Sequence, residues 1–217
     1  MKEMERPRAF TSRQNVLRER LVNQARAPGV YRSTPLLPSS GEDIEVYHDF
    51  DLLVADPINA RAVVEVFSEE IRRIDAEDEV TLLGFIEKSG NTTGAISLAG
   101  AISIETGIPQ LAVRLWKDLP SERIKLPSLE DRPRKQKLLG ENVVVVTDHS
   151  TTGIELLDAI ETVHNLGGCV RDAVVYTLNE HLFQRDAFQS QGVRVQFIRA
   201  LPREFQEANV ERVKVYA

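Results

Sequence analysis

Residues 143–160 read Val143-Val144-Val145-Val146-Thr147-Asp148-His149-Ser150-Thr151-Thr152-Gly153-Ile154-Glu155-Leu156-Leu157-Asp158-Ala159-Ile160. Four valines in succession leave no polar face, which predicts a strand buried on both sides, as in a parallel sheet covered by helices. After the turn, Leu156, Leu157, Ile160, Val163 and Leu166 recur at helical spacing until Gly167-Gly168 ends the pattern. Ligands of open parallel sheets bind beyond the C-terminal strand ends, where the next helix offers unpaired N–H groups and the positive end of its dipole. An anion belongs in such a turn. Ser150, Thr151 and Thr152 supply hydroxyls that can donate to phosphate oxygens, and Gly153 lets the backbone come close to a ligand. Asp148, at the end of the strand, suits sugar hydroxyls or a phosphate-bound Mg²⁺. The plainer alternative stays open, that Asp148 and the Ser/Thr run only cap the following helix.

Working outward, the same alternation recurs. Residues 80–86 form an apolar run, 88–91 a turn, 92–106 a helical run stopped by Gly107, and 108–113 a second apolar run. Downstream, strands are expected at 170–176 and 193–197, with a helix at about 179–189 between them. Upstream, residues 44–53 read as a strand-like stretch, and Asp56-Pro57 opens a helix whose Ile58, Ala62, Val63, Val66, Phe67 and Ile74 line one side. Strands alternating with helices of this length imply an α/β fold with a central, mostly parallel sheet and helices on both faces. The residues before this core comprise a modest amphipathic helix at 11–24 and a Pro/Gly/Ser-rich loop at 27–42. The expected division is an appendage at 1–43 and an α/β domain at 44–217.

The motif at 143–153 resembles the phosphoribosyl-pyrophosphate signature of type I phosphoribosyltransferases, in which four apolar residues, an acidic pair, two small residues and Thr-Thr-Gly lead into a helix. The likeness extends from about residue 35 to 200 and is nearest to the orotate phosphoribosyltransferase branch. Residues 82–114 resemble that family's strand, pyrophosphate loop, helix and second strand, with Gly90-Asn91-Thr92-Thr93-Gly94 as the loop. The proline-broken segment at 115–140, long for an ordinary connection, takes the place of the family's catalytic loop. The resemblance implies the family's fold, including a hood-like N-terminal segment, and a Mg²⁺-dependent transfer in which a nitrogenous base displaces pyrophosphate from phosphoribosyl pyrophosphate. It places Thr147, Asp148, His149, Ser150, Thr151, Thr152 and Gly153 on the phosphoribosyl group and Asn91, Thr92, Thr93 and Gly94 on the pyrophosphate. It makes Asp148, Arg114 and Lys117 the catalytic set and implies a homodimer. The metal would be held through ligand phosphates and Asp148. The chain departs from the family at Thr147, where a second acid is usual, at Ser39 in place of a base-contacting lysine, and at Glu180 in place of an arginine.

Composition narrows the choice of function. A net charge of −6 and a pI near 5.4 disfavour binding nucleic acid by counterion release. The N-terminal residues lack an apolar signal core, and no run of about 18 apolar residues suggests a membrane span. With a single cysteine, Cys169, expected as a buried thiol, a reducing cytoplasm fits. The four histidines lack metal-ligand spacing, so no zinc site is expected. Two other classes remain on the sequence alone: a binding module that senses phosphoribosyl pyrophosphate or a nucleotide without transfer, motivated by Thr147 and the altered loop, and RNA binding through the basic run at 132–137.

Overall fold

The computed structural model describes residues 31–32, 47–48, 50–88, 93–115, 138–180 and 182–200. Its centre is a parallel sheet of five strands, β3 (Leu82–Lys88), β4 (Gln110–Leu115), β5 (Asn142–Ser150), β6 (Cys169–Leu178) and β7 (Arg194–Ala200), in the spatial order β4-β3-β5-β6-β7. A separate antiparallel pair, β1 (Tyr31–Arg32) and β2 (Tyr47–His48), precedes it.

The valine run behaves as its composition demands. Val143 and Val145 pack into one cluster with Leu156, Ile160 and Val163 of α4 (Ile154–Asn165). Val144 and Val146 enter the opposite cluster with Val63, Val66 and Phe67 of α2 (Pro57–Asp78) and Leu98 and Ile102 of α3 (Thr93–Thr106). All four valines are at most 2% exposed, so β5 is covered on both faces. Burying each such side chain is worth about 1.5–3 kcal/mol. The short helices α1 (Phe50–Val54) and α5 (Arg185–Ser190) complete the layers, α1 through Phe50 and Leu53 on the first face and α5 through Phe188 on the second.

Several boundaries differ from the sequence expectation. Among the described residues of 44–53, the short β2 is followed by α1 rather than a longer strand, because Phe50 and Leu53 bury themselves against α2 as one helical face. Asp56 caps α2 as expected, its carboxylate accepting the Ile58 N–H at 2.8 Å, but this leaves Ile58 in the first turn 55% exposed. The helix expected from 179 shrinks to α5, since Asn179 Oδ1 accepts the Leu182 N–H at 3.3 Å and holds a turn instead. Cys169 is exposed, being the first residue of β6 at the rim of the sheet. The N-terminal helix and hood-like segment lie outside the described residues.

Sheet order sets where the strand connections part. From β3 the chain goes to β4 on one side, then crosses to β5 on the other. The C-terminal ends of β3 and β5 therefore flank a topological switch point, where connections part and leave a crevice. Helices α3 and α4 both begin at this end, directly after β3 and β5.

At the other end of the strands, ion pairs tie α2 to the sheet. Arg194 reaches Asp172 at 2.6 Å and Asp78 at 2.7 Å, and Arg171 reaches Asp78 at 2.9 Å. Burial works against the Asp78 charge, but hydrogen bonds from Arg194 and Arg171 outweigh it and hold this carboxyl below its ordinary value. A carboxyl depressed in the folded state stabilises above its unfolded pKa of about 3.9 and loses that contribution as pH falls through its native value. The stability advantage of the native chain over Asp78→Asn should thus be full at pH 6 and shrink below about pH 4. Urea denaturation across this range measures it, and an advantage unchanged down to pH 3 would contradict the assignment.

Candidate functional site

Strand β5 continues past its valines. Thr147, His149 and Ser150 remain in register with Val175, Thr177 and Leu178 of β6, so Asp148 lies within the strand rather than at its end. The turn proper is Thr151, Thr152 and Gly153. Gly153 has φ of +87° and is the N-cap of α4, with no side chain capping the helix. The capping alternative asks the hydroxyls to bond the first-turn amides. Thr151 instead directs its Oγ1 to His149 Nε2 at 2.8 Å, and Thr152 Oγ1 lies only at the outer limit of bonding, 3.4 Å from the Ile154 nitrogen.

The backbone of the turn is bonded on one side only. The Ser150 carbonyl accepts the Asn179 N–H at 3.2 Å, and the Thr152 carbonyl accepts the Gln184 N–H at 3.1 Å. Among the described residues, the amides of Thr151, Thr152 and Gly153 donate to no protein acceptor. Three available N–H groups at the N-terminus of a 12-residue helix have the arrangement of an anion nest, and the helix dipole adds positive potential there.

Around the nest, Asp148 is half-buried, and its Oδ1 accepts the His149 N–H at 2.8 Å and the Thr147 hydroxyl at 3.3 Å. Thr147 itself is buried. Its hydroxyl steadies the neighbouring carboxylate. Ser150 is 8% exposed, so it takes part through its backbone more than its hydroxyl. Arg114 stands on β4 opposite Glu87 of β3, with β3 between it and β5. Two strand spacings put its backbone about 10 Å from β5. Thr93 and Gly94 open α3 on the far side of the switch point. Asn91, Thr92, Lys117, Ser39, Trp116, His181 and the run at 132–137 lie outside the described residues. Glu180, at the surface just beyond β6, pairs with Arg185 at 3.0 Å. Among the described residues, no three His, Cys, Asp or Glu side chains gather as a metal site.

Sequence reading missed the support behind the turn. Phe183 and Phe188 stack with ring centroids 4.7 Å apart, and a Cβ on Gly153 would come within 2.8 Å of each ring. Two aromatic residues in an otherwise polar segment were the available signal. Gly153 is thus required by its left-handed backbone and by aromatic packing behind it.

Known proteins are similar to this chain in sequence and in fold, although no protein-family model matches it. An orotate phosphoribosyltransferase of Rhodopseudomonas palustris is 30% identical over 155 residues, 70% of this chain and 78% of that protein. The orotate phosphoribosyltransferase of Methanopyrus kandleri is 28% identical over 180 residues, 82% of this chain and 86% of its own length. Among solved structures, the orotate phosphoribosyltransferase from Aeropyrum pernix matches with a TM-score of 0.62 at 20% identity, covering 92% of this chain and 98% of the other.

Replacing Gly153 with alanine places a Cβ in left-handed backbone and against two rings. The first effect costs about 1 kcal/mol and the second about 1–3 kcal/mol. Chemical denaturation should show Gly153→Ala less stable by about 2–4 kcal/mol, with loss of stabilisation by added inorganic phosphate. A variant as stable as the parent, and equally protected by phosphate, would contradict this geometry.

Proposed function

Because the chain belongs to the type I phosphoribosyltransferases, in their orotate phosphoribosyltransferase branch, we propose that the turn at 151–153 holds the 5′-phosphate of phosphoribosyl pyrophosphate while a base attacks the sugar at the switch point. The chain is an enzyme that transfers the phosphoribosyl group to a nitrogenous base. The observation that carries the site assignment is the set of three unengaged amides, Thr151, Thr152 and Gly153, at the start of α4.

A doubly wound sheet places sugar and leaving group along its C-terminal edge. With the 5′-phosphate in the α4 nest, the ribose lies over the end of β5, where the Asp148 carboxylate accepts hydrogen bonds from its hydroxyls. The pyrophosphate extends toward the β3–α3 connection, assigned to Asn91, Thr92, Thr93 and Gly94. A base nitrogen then forms its bond to the anomeric carbon as the bond to pyrophosphate breaks, and pyrophosphate leaves with the electron pair. Positive charge gathers on the sugar and negative charge on the departing oxygen, so cations help only if they lie on the leaving side. Arg114 and Lys117 are assigned that role.

Mg²⁺ fits this donor set as a guest of the ligand. Magnesium favours one or two carboxylates plus substrate phosphates and water, and Asp148 offers one half-buried carboxylate beside the nest. When bound with the substrate, it would neutralise pyrophosphate charge. Thr147 spends its hydroxyl on Asp148, so the ribose grip rests on a single carboxylate.

The acceptor is assigned as orotate or a related pyrimidine, after the activity that both relatives carry in their names. Glu180, which stands where the resemblance expects an arginine, sits at the surface beyond β6 and pairs with Arg185. We assign the working form as a cytoplasmic homodimer.

Pyrophosphate release from phosphoribosyl pyrophosphate and Mg²⁺, tested against orotate, uracil, cytosine and adenine, measures the reaction. Release should occur with at least one pyrimidine. Asp148→Asn should lower kcat/KM by about 10–100-fold, the loss of a charged hydrogen bond of about 1.5–3 kcal/mol. No release with any base, or full activity in Asp148→Asn, would overturn the assignment.

A further inference from the structure

We infer that Asn179, Phe183, Gln184 and Phe188, after β6, form the positioning element of the phosphate turn: they aim the amides of Thr151 and Gly153 toward the ligand without touching phosphate themselves. This inference rests on the reading of the turn as a phosphate site.

Peptide geometry carries the argument. A trans peptide is planar, and its C=O and N–H point in opposite directions; no cis peptide occurs among the described residues. The Ser150 carbonyl is fixed inward by the Asn179 N–H at 3.2 Å. The N–H of the same peptide unit, that of Thr151, therefore points away from β6, toward the β3 side of the switch point. The Thr152 carbonyl is fixed in the same manner by the Gln184 N–H at 3.1 Å, and this turns the Gly153 N–H outward. Two inward bonds on alternate peptides thus set two outward donors.

The segment is built to hold those bonds still. Asn179 is wholly buried, its carbonyl accepts the Phe183 N–H at 3.0 Å, and its Oδ1 accepts the Leu182 N–H at 3.3 Å. Phe183 and Phe188 are 7% and 1% exposed, stack nearly parallel at 13°, and press on the Gly153 Cα from behind. Left-handed backbone at Gly153 is one of several conformations open to a glycine. The rings remove the room for the others. Glu180 and Arg185 close the turn on its exposed side.

A nest held in place binds tightly because ordering its amides costs nothing at the moment of binding. The 5′-phosphate lies away from the reacting carbon, so its grip is the same in ground and transition states. Weakening that grip raises KM and leaves kcat nearly intact.

The test uses the full chain, with inorganic phosphate and phosphoribosyl pyrophosphate as probes, in the parent protein, Phe183→Leu and Phe188→Leu. In the parent, amide NMR during a phosphate titration should show the Thr151 and Gly153 resonances moving most. Each leucine variant should bind phosphate about 5–10-fold more weakly and raise KM for phosphoribosyl pyrophosphate by a similar factor, with kcat within about threefold. Parent amides that do not move would sink the phosphate site itself. Parent amides that move, with unchanged phosphate affinity and KM in both leucine variants, would sink the positioning role alone. Should a variant fail to fold, the parent still decides: shifts as large at neighbouring amides as at Thr151 and Gly153 would also overturn the inference.

Discussion

Bonding of the Ser150 and Thr152 carbonyls to the segment after β6 fixes the turn between β5 and α4, on which the proposed phosphate site depends. Peptide groups are rigid, so anchoring a carbonyl on one side fixes the amide on the other. The donors that result are backbone groups, which cannot be lost by side-chain substitution and need no rearrangement to meet an anion. A glycine with positive φ and two stacked rings hold the arrangement. Sheet, helices and core place this short turn at the C-terminal end of β5, beside the switch point.

The sheet provides that stage by its order. Because β3 and β5 are neighbours while the chain between them visits β4, two helix starts come to the same end of the sheet on opposite faces. One gives the nest after β5. The other lies beside it after β3, where the sugar's second charged group is assigned. A bisphosphorylated sugar suits two such positions better than a ligand with one charge would. Burial of all four valines keeps β5 from shifting register, since a slip of one residue would carry Asp148 and His149 to the opposite face.

Much of this was legible in sequence because it depends on local pattern. An unbroken valine run reads as a strand covered twice, and the structure buries it on both faces. The resemblance to phosphoribosyltransferases, drawn from that motif and the residues upstream, agrees with the relatives that match the chain. What stayed hidden depends on tertiary contact. The extension of β5 through Ser150 follows from pairing with β6, which nothing in residues 147–150 announces. The helix expected at 179–189 gave way because Asn179 takes a local amide and Gln184 bonds across to Thr152. Periodicity cannot foresee a bond between segments some thirty residues apart. Gly153 was read as room for the ligand, whereas the rings behind it are the stronger reason for its identity.

The most direct test of the account is a crystal structure of this chain with phosphoribosyl pyrophosphate and Mg²⁺ bound. The account predicts 5′-phosphate oxygens at hydrogen-bond distance, about 2.7–3.2 Å, from the backbone nitrogens of Thr151 and Gly153, with Asp148 on the ribose hydroxyls. A phosphate bound elsewhere, with those two nitrogens facing only water, would contradict it.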